Sequence, residues 1–483
     1  MKTRNALLLI ILFSAGFFSC GKGFLEEPPR RVTIADLLNN PQDGAQRLIA
    51  AVYNKLYAWE QHSFSWIGIS SITSDDADKG SDPGDPGSDK DRMDGWTFNS
   101  SGISFDEVWS SNFEGIGRAT YALKFLPDMN LPDRDRYIGE AKFLRAYFYF
   151  NLVRTFGGVP KIDRVLESQA DIDAASVRAS AAEIYAFIES DLLDAIGRLP
   201  AIVPPAENGR VSKYAAQGLL AKVYLYQKKW AGAASMSGAV IAGPYALLQD
   251  YSLIWREVGE FSSESIWEVN AIGTTPNRGL QGYFVVQAPR GAGALGWGFN
   301  TPSQDLVNAY EPGDERKNAT IIFSGTTLWD GYHVSILAPN PYYNYKSYVS
   351  KTQESFNGED WETNKNLRVL RLGEMYLIKA EAENELGNIQ NARDALDMVR
   401  NRAGLGNTTA NTQAALRDAI RRERRVEMAF EHDRMFDLRR TGLAESVLTA
   451  HGKPYQSPKH DLFPIPLNQI LLSGGRLQQN FGY

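Results

Sequence analysis

Apolar residues recur every three to four positions through most of the first half of the chain. In residues 43–60 the repeat is formed by Leu48, Val52 and Leu56, which is the spacing of one helix face. The same period returns in DEVWSSNFEGIGRATYALKFLPD, in RYIGEAKFLRAYFYFNLVRTFGG and in residues 181–199, 212–229 and 230–241. Helix pairs that follow one another at roughly 35 to 45 residues are typical of tetratricopeptide-like hairpins. The first half is therefore predicted to be a stack of such hairpins, without a clean repeat consensus.

The pattern changes between about residues 244 and 365. Two short runs of β-like composition, ESIWEVN and GYFVVQ, lie there among loops rich in Gly, Pro, Asn and aromatic residues. Helical spacing returns in residues 370–386, 389–402 and 414–440, and the polar tail from Thr441 is expected to run extended over the surface. We predict a mainly α fold in which tetratricopeptide-like hairpins form a scaffold and a loop-rich region adds short β strands. The expected regions are an N-terminal helical one, residues 20–243, and a C-terminal one, residues 244–483, packed together as one unit.

The N-terminus carries a short apolar segment of the kind that directs export. Lys2 and Arg4 precede about thirteen largely apolar residues, and Ser19 and Cys20 follow them, which predicts a signal peptide over residues 1–19. The segment is shorter than the roughly 18 to 20 apolar residues that a spanning helix needs. Its end resembles a bacterial lipoprotein signal, in which the cysteine becomes the lipidated first residue of the mature protein. The alternatives are a free cysteine after an ordinary signal peptide and a buried thiol.

Composition limits how the mature chain is stabilised and what it binds. Of the 483 residues, 43% are hydrophobic and 11% aromatic, enough for a large core without an internal disulfide, which a single cysteine cannot form. The formal net charge of -6 is mild for this length. It argues against a general nucleic-acid binder and against a polybasic membrane surface, so a lipid on Cys20 would be the anchor.

A series of long motifs carries a resemblance to one protein family, in the order in which that family shows them. They are VWSSNFEGIGRATYAL, GEAKFLRAYFYFNLVRTFGGVP, GRVSKYAAQGLLAKVYLYQKKW, DLVNAYEPGDERK, RLGEMYLIKAEAENELGN, ARDALDMVRNRAGL, RRERRVEMAFEHDRMFDLRRTG, LFPIP and QNFGY. Together they cover most of the mature chain. By this resemblance the chain is identified as a member of the RagB/SusD family, the surface nutrient-binding lipoproteins of Bacteroidetes.

The resemblance implies a SusD-like fold, a location and a set of partners. The expected protein is a non-catalytic lipoprotein of the outer membrane that faces the cell surface, captures oligosaccharides and delivers them to a SusC-like TonB-dependent transporter. The residues after Cys20, Gly21-Lys22-Gly23, are not acidic, which leaves the periplasmic face as an alternative. A peptide ligand, as in the RagB branch, is a second possibility for the cargo.

Motifs for catalysis or cofactor binding are missing or out of context. The five histidines are scattered, and the sequence has no phosphate loop, no paired-cysteine zinc pattern and no HExxH. The GAGALG run at residues 291–296 is followed by Trp297, Gly298 and Phe299 rather than by a helix, so we interpret it as a loop and not as a dinucleotide site. We predict no enzyme and no cofactor. A helical glycosidase, which needs two carboxylates about 5 to 9 Å apart, and a purely structural scaffold are the alternatives.

Two charged segments have structural interpretations. Residues 421–440 place opposite charges three and four apart, which predicts ion pairs that knit the C-terminal helices, each exposed pair contributing only about 0.2 to 0.5 kcal/mol. Residues 73–95 form an Asp-rich, Gly-rich loop in which Asp76 and Asp78 are weak candidates for a calcium site. The spacing fits no EF-hand, so a solvated loop is the competing interpretation.

Aromatic residues in loops are the positive signal for ligand binding. A flat ring that faces solvent stacks on the apolar face of a sugar, while nearby amide and charged groups bind its hydroxyls. Many aromatic residues must instead fill the core, since each buries about 150 to 250 Å². The predicted ligand-binding residues are Trp96, Trp297, Trp329, Tyr283, Tyr332, Tyr343 and Asn300.

Overall fold

The computed structural model of the protein describes residues 39–82, 84–85, 89–274, 278–291, 295–356 and 361–483. Cys20 and the predicted signal peptide lie outside these residues, as do residues 292–294 of the GAGALG run. The predicted mainly α fold is confirmed. In the described part of the chain, no helix combines the length and the apolar character that crossing a membrane requires.

Helices dominate the first half. They span Pro41–Asn54 (α1), Trp59–His62 (α2), Phe64–Ile67 (α3), Asp89–Asp94 (α4), Ile103–Phe125 (α5), Arg134–Phe156 (α6), Gln169–Ala175 (α7), Ala181–Arg198 (α8), Lys213–Tyr226 (α9) and Trp230–Ile241 (α10). The start of α8 shows why the boundaries follow the sequence: Ser180 Oγ accepts from the Glu183 amide at 3.2 Å, and Glu183 returns a carboxylate to the Ser180 amide at 2.8 Å. This capping box satisfies two amides that the helix leaves unpaired.

The remaining helices continue the same stack. They span Tyr283–Gln287 (α11), Gln304–Ala309 (α12), Leu372–Glu385 (α13), Ile389–Arg402 (α14), Gln413–Met428 (α15), Arg434–Arg440 (α16), Ala444–Ala450 (α17) and Leu467–Leu472 (α18). Helix α6 packs against α5 and α8, α10 packs against α9 and α13, and α13 packs against α14 and α15. At Gly115, in α5, an added Cβ would lie 2.5 Å from the ring of Phe148 in α6. The two longest helices therefore approach more closely than a larger residue would allow.

Three small antiparallel sheets join distant segments. The strands are Ala77–Gly80 (β1), Ser265–Val269 (β2), Phe299–Pro302 (β3), Ile321–Phe323 (β4), Tyr342–Asn344 (β5) and Leu367–Arg371 (β6). They pair as β1 with β3, β2 with β6 and β4 with β5. The pairing of Ala77 with Pro302 and of Gly80 with Phe299 brings the middle region onto the N-terminal one. Phe299, the first residue of β3, also contacts the ring of Phe64.

The β-like interpretation of GYFVVQ is wrong, because residues Tyr283–Gln287 form the short helix α11. Gly282 has φ of 69°, and its carbonyl accepts from the Val286 amide at 3.1 Å. All five helix residues are buried. A short run that is apolar on every side has no periodicity by which a strand and a helix can be told apart.

The single helix predicted over residues 414–440 is also wrong, since α15 ends at Met428 and α16 begins at Arg434. In the segment between the two helices, Phe430 has a φ of 63° and His432 has a φ of 67°. Residues other than glycine rarely adopt this left-handed region. Both side chains are buried. The break directs both side chains into the core. The helical period of the sequence gives no sign of this break.

The polar tail does not run extended over the surface. It contains α17 and α18, and Phe463 and Ile465 of the FPIP motif are fully buried. Asn480 donates from Nδ2 to the carbonyls of Phe156 and Phe463, at 3.0 and 2.6 Å. Side chain to backbone bonds of this kind fix the C-terminus against α6.

The charged segment 421–440 is buried rather than spread over an exposed helix face. Arg371 Nε lies 2.6 Å from Glu431 Oε2, and Arg316 Nη1 lies 2.9 Å from Glu427 Oε2. Arg371, Arg316 and Glu427 are buried, and the Glu431 side chain is 6% exposed. Burial alone would raise the pKa of Glu427, but Arg402, Arg371 and Arg316 beside it hold that pKa well below its usual value. The segment thus connects α15 to β6 and to the middle region through ion pairs. Removing one partner of such a pair would leave the other as an unpaired buried charge.

Candidate ligand-binding site

Three tryptophans from distant segments meet at the surface. The rings of Trp59 and Trp361 are stacked with centroids 4.8 Å apart and 20° between their planes. The ring of Trp297 lies 6.1 Å from Trp59 and 6.3 Å from Trp361, tilted against both. Trp297 and Trp361 are 38% and 40% exposed, and Trp59 is half-buried. We call these three residues the tryptophan cluster.

Two phenylalanines support the cluster from below. The ring of Phe64 lies 4.7 Å from that of Phe299, edge to face, 6.2 Å from Trp297 and 5.7 Å from Trp59. Phe299 is buried and begins β3. The aromatic layer therefore continues from the surface into the β1–β3 sheet, and edge-to-face contacts of this kind hold the rings in defined orientations.

The loop that carries Trp297 is fixed by its backbone. The Trp297 amide donates to the Val285 carbonyl at 2.7 Å, and the Gly298 amide donates to the Ala288 carbonyl at 3.0 Å. The exposed ring is therefore presented by a segment tied to α11, which is wholly buried.

Residues 281 and 282 fix the other two rings. The Trp59 amide donates to Oε1 of Gln281 at 3.2 Å, and the Gly282 amide donates to the Trp361 carbonyl at 2.7 Å. A Cβ on Gly282 would lie 2.2 Å from the Trp59 ring, and the φ of 69° disfavours any other residue there. Glycine at this position is thus a requirement of the cluster.

Partly exposed carboxylates surround the cluster. Glu60 and Glu362 are each adjacent in sequence to one of its rings, and Glu362 accepts from Gln281 Nε2 at 3.3 Å. Near Phe64, Glu107 accepts from Ser65 Oγ, and burial raises the pKa of the Glu107 carboxyl although Ser65 and Lys90 oppose the shift. Lys90 itself is buried, with Nζ 4.2 Å from the centre of the Phe64 ring. Lys90 thus lies inside, whereas Glu60 and Glu362 are partly exposed, with Glu60 Oε2 3.8 Å from Lys55 Nζ. We call the Glu60 and Glu362 carboxylates the acidic rim.

The arrangement suits a ligand with flat apolar faces and many hydroxyl groups. Indole rings at different tilts offer planes on which successive sugar rings can stack. Carboxylate and amide oxygens around them accept hydrogen bonds from hydroxyls. Rings, rather than a reactive pair of side chains, occupy the centre of the patch.

Comparison with known proteins decides the family. The model of the SusD family matches residues 263–483, and a second family model, described as starch-binding associating with outer membrane, matches residues 44–225. A solved structure described as a laminarin-binding SusD-like protein is 30% identical, covers 91% of this chain and 99% of its own, and superposes with a TM-score of 0.78. The chain belongs to the SusD family. The resemblance seen in the sequence motifs is therefore confirmed.

Other SusD-like proteins match all or most of the chain. SusD-like protein P25 of Formosa agariphila is 24% identical over all of both chains, and a SusD-like protein of Bacteroides ovatus is 25% identical over 90% of this chain and 82% of its own. Surface glycan-binding protein A from Bacteroides thetaiotaomicron, solved in complex with laminarihexaose, has the same fold at 23% identity and a TM-score of 0.77.

In this SusD-family chain, Trp297, Trp329 and Tyr332 are the predicted ligand-binding residues that have exposed or partly exposed side chains. Trp297 belongs to the tryptophan cluster. Trp329 is 48% exposed and lies elsewhere, beside Arg256, and Tyr332 is half-buried with its ring 6.4 Å from Tyr348.

The structure places Trp96 in the core. Its Nε1 donates to the Thr73 carbonyl at 3.1 Å, and its ring packs 4.8 Å from Tyr455 and 6.1 Å from Phe463. The sequence around it is that of a loop, but the C-terminal segment covers it. The ring has no exposed face that a ligand could reach.

Tyr283, Tyr343 and Asn300 are buried supports rather than exposed groups. Tyr283 shares a hydrogen bond with His432 Nε2 at 2.9 Å, and Asn300 Nδ2 donates to Gln287 Oε1 at 2.8 Å. Tyr343 lies under the loop that carries Trp297, where a Cβ on Gly298 would come within 3.3 Å of its ring. These three residues lie beneath the surface and do not contribute an exposed face to the tryptophan cluster.

Trp59 and Trp361 are cluster members that the sequence interpretation missed. Trp361 follows the segment FNGED, whose composition is the same signal that selected Trp297. Trp59 falls inside an apolar helical period, where a core position is the natural interpretation.

The acidic segment 73–95, predicted as a loop, contains β1 and α4 and forms ion pairs where it is described. Asp76 is buried, with Oδ1 2.7 Å from Arg425 Nε, while Asp78 approaches His451 Nε2 at 3.8 Å. Over the described ranges, no three His, Cys, Asp or Glu side chains converge in a way that would hold a metal ion. Asp76 thus serves to connect β1 with α15.

Proposed function

We propose that this protein is a non-catalytic, lipid-anchored outer-membrane protein that captures oligosaccharides on the tryptophan cluster and delivers them to a SusC-like TonB-dependent transporter. The observation that supports this most directly is the convergence of Trp59, Trp297 and Trp361 into one exposed patch. Membership of the SusD family, and a family model described as starch-binding associating with outer membrane, agree with it.

We infer a neutral glycan as the cargo. The partly exposed charges adjacent in sequence to the rings, Glu60 and Glu362, are negative, and they would repel sulfated or uronic-acid sugars. A relative of known structure, 30% identical, is described as laminarin binding. Laminarin oligosaccharides are therefore the first ligands to test, with starch oligosaccharides beside them.

Weak capture is sufficient for this role. A few stacked rings and hydrogen bonds give affinities in the micromolar to millimolar range, about -8 to -4 kcal/mol. A lipid on Cys20 would hold the protein beside its transporter, and such tethering raises the effective concentration of captured ligand.

Isothermal titration of the purified mature chain with laminarihexaose, maltohexaose and a tryptic peptide mixture tests the proposal. Saturable heat with at least one of the two neutral oligosaccharides is the expected result. Binding of the peptides alone would favour a RagB-like function, and release of reducing sugar during incubation would contradict a non-catalytic role.

A further inference from the structure

A further exposed tryptophan, Trp329, lies in a cleft of its own. The cleft beside Trp329 has a volume of about 520 Å³ and is lined by Leu253, Arg256, Val258 and Glu354, among others. None of its lining residues belongs to the tryptophan cluster. Its volume falls within the range of roughly 300 to 1,000 Å³ that is usual for small-molecule sites.

The ring of Trp329 is held in place from one side. The guanidinium of Arg256 lies 5.4 Å from the ring centre, and Arg256 is only 5% exposed. That guanidinium donates to the carbonyls of Tyr345 and Tyr348 at 3.2 and 2.9 Å and pairs with Glu354 at 3.4 Å. A buried cation is attracted to the face of an aromatic ring. This contact favours one orientation of the Trp329 ring, which is 48% exposed.

The loop that carries Trp329 is braced as well. Asp330 accepts a hydrogen bond from the Tyr348 hydroxyl at 2.6 Å and another from the Tyr332 amide at 3.1 Å. Those bonds hold the residue after the indole against the β4–β5 region. The ring is thus a built platform and not the tip of a loose loop.

The walls of the cleft are apolar and its charged groups already have partners. Leu253 and Val258 are 39% and 79% exposed. The Glu257 carboxylate accepts from the Ser355 amide at 2.5 Å, and the Glu354 carboxylate accepts from the amides of Glu257 and Ser350, both at 2.8 Å. Arg256 Nε has no hydrogen-bond partner among the described residues, but the terminal nitrogens of Arg256 and the Glu257 and Glu354 carboxylates are bonded within the protein. Because these groups are already engaged, the cleft favours a neutral ligand with an apolar face.

We propose that the Trp329 cleft is a second oligosaccharide-binding site on the same chain, separate from the tryptophan cluster. A sugar ring stacks on the exposed indole, with Leu253 and Val258 at its edge. This inference rests on the proposed function for the class of ligand. Two weak sites on one chain retain a long glucan better than either does alone, because the second contact is intramolecular.

Fluorine NMR of protein labelled with 5-fluorotryptophan tests the inference. The ten tryptophans give separate signals, which Trp329→Phe, Trp297→Phe and Trp361→Phe assign. During titration with laminarihexaose, and then with maltohexaose, to about 10 mM, the Trp329 signal is expected to shift along a saturable curve. The same shift is expected in Trp297→Ala/Trp361→Ala, where the cluster cannot bind, and melting curves check that this variant is folded.

The possible outcomes separate the two claims. A Trp329 signal that stays fixed while the Trp297 and Trp361 signals shift would overturn the second site and leave the proposed function standing. A Trp329 shift that disappears in Trp297→Ala/Trp361→Ala would mean that the cleft only responds to the cluster, which also overturns independence. No shift at any tryptophan with either sugar would contradict the second site and the proposed oligosaccharide capture together.

Discussion

The indole of Trp361 stacks on that of Trp59 with 4.8 Å between ring centres and 20° between planes, although the two residues come from opposite parts of the chain. Gly282 makes this possible, since its amide binds the Trp361 carbonyl and its missing side chain leaves room for the Trp59 ring. The pair depends on one turn before α11. A small change at that turn should therefore reach the binding surface.

Gly282→Ala is expected to weaken oligosaccharide binding about tenfold or more, because the new Cβ would collide with the Trp59 ring 2.2 Å away. It should also lower the free energy of unfolding by about 1 to 3 kcal/mol through its positive φ. Gly313→Ala is the matched control, since Gly313 has φ of 85° and nothing within 4 Å of its Cβ position. That control should lose stability but keep its affinity. Equal loss of affinity in both variants would show that backbone strain, not the ring collision, is responsible.

The acidic rim should discriminate between neutral and anionic glycans. Sulfated or uronic-acid oligosaccharides are expected to bind more weakly than neutral ones of equal length. The double variant Glu60→Gln/Glu362→Gln should narrow this gap in affinity. Raising the salt concentration should narrow it too, because exposed charges are screened over about 10 Å at 0.1 M ionic strength. Glu167→Gln removes a surface charge that pairs with Lys124 and serves as the control. A gap that is unaffected by the double variant would place the selectivity elsewhere.

His432 is expected to make stability depend on pH between about 4 and 6.5. Burial lowers its pKa to about 4, an effect that Asp433 and Glu431 oppose and Arg154 and Lys222 reinforce. The unfolded chain takes up this proton near pH 6.5, whereas the folded chain does so only near pH 4. The contribution of His432 to the free energy of unfolding is therefore fully present above about pH 6.5 and falls as the pH is lowered. At pH 5.0 the free energy of unfolding has lost about 2 kcal/mol.

The measurement for His432 is urea unfolding of wild type and His432→Gln at pH 7.5 and pH 5.0. The wild type should be the more stable at pH 7.5, because the imidazole bonds to Ser70 and Tyr283, and the gap should shrink by about 2 kcal/mol at pH 5.0. A gap that widens at low pH would mean that the buried imidazole is charged in the folded protein.

Cys20→Ala is expected to release the protein from the membrane fraction of the native host. The prediction rests on the lipoprotein-like signal in residues 1–19. Fractionation followed by immunoblotting measures it, with the wild type as reference. Protease treatment of intact cells, applied to the wild type, separates a surface location from a periplasmic one. Retention of Cys20→Ala in the membrane would contradict lipid anchoring through this residue.

The long helices could be predicted because their period is sustained over several turns. Residues 230–241 and 389–402 match the observed helices to the residue. The break between α15 and α16 could not be predicted, because it depends on Phe430 and His432 adopting positive φ. That conformation is stabilised by long-range burial, which leaves no local signal.

The binding surface could be predicted only in part for the same reason. The composition of its loop marked Trp297 as exposed, and the same reasoning selected Trp96, which the C-terminal tail covers. Whether a loop ring faces solvent depends on which distant segment packs over it. Trp59 lies in a helical period and reaches the cluster only because residues 281–282 bring Trp361 beside it.

The most direct test of oligosaccharide capture is isothermal titration of wild type and Trp297→Ala/Trp361→Ala with laminarihexaose and maltohexaose. Tyr121→Ala, which removes a similarly exposed ring in edge-to-face contact with Phe125, is the matched control. We expect the double variant to lose at least about tenfold in affinity for the sugar that binds, while it still unfolds cooperatively and Tyr121→Ala binds as the wild type does. Equal affinity of the wild type and the double variant for that sugar would contradict capture on the tryptophan cluster.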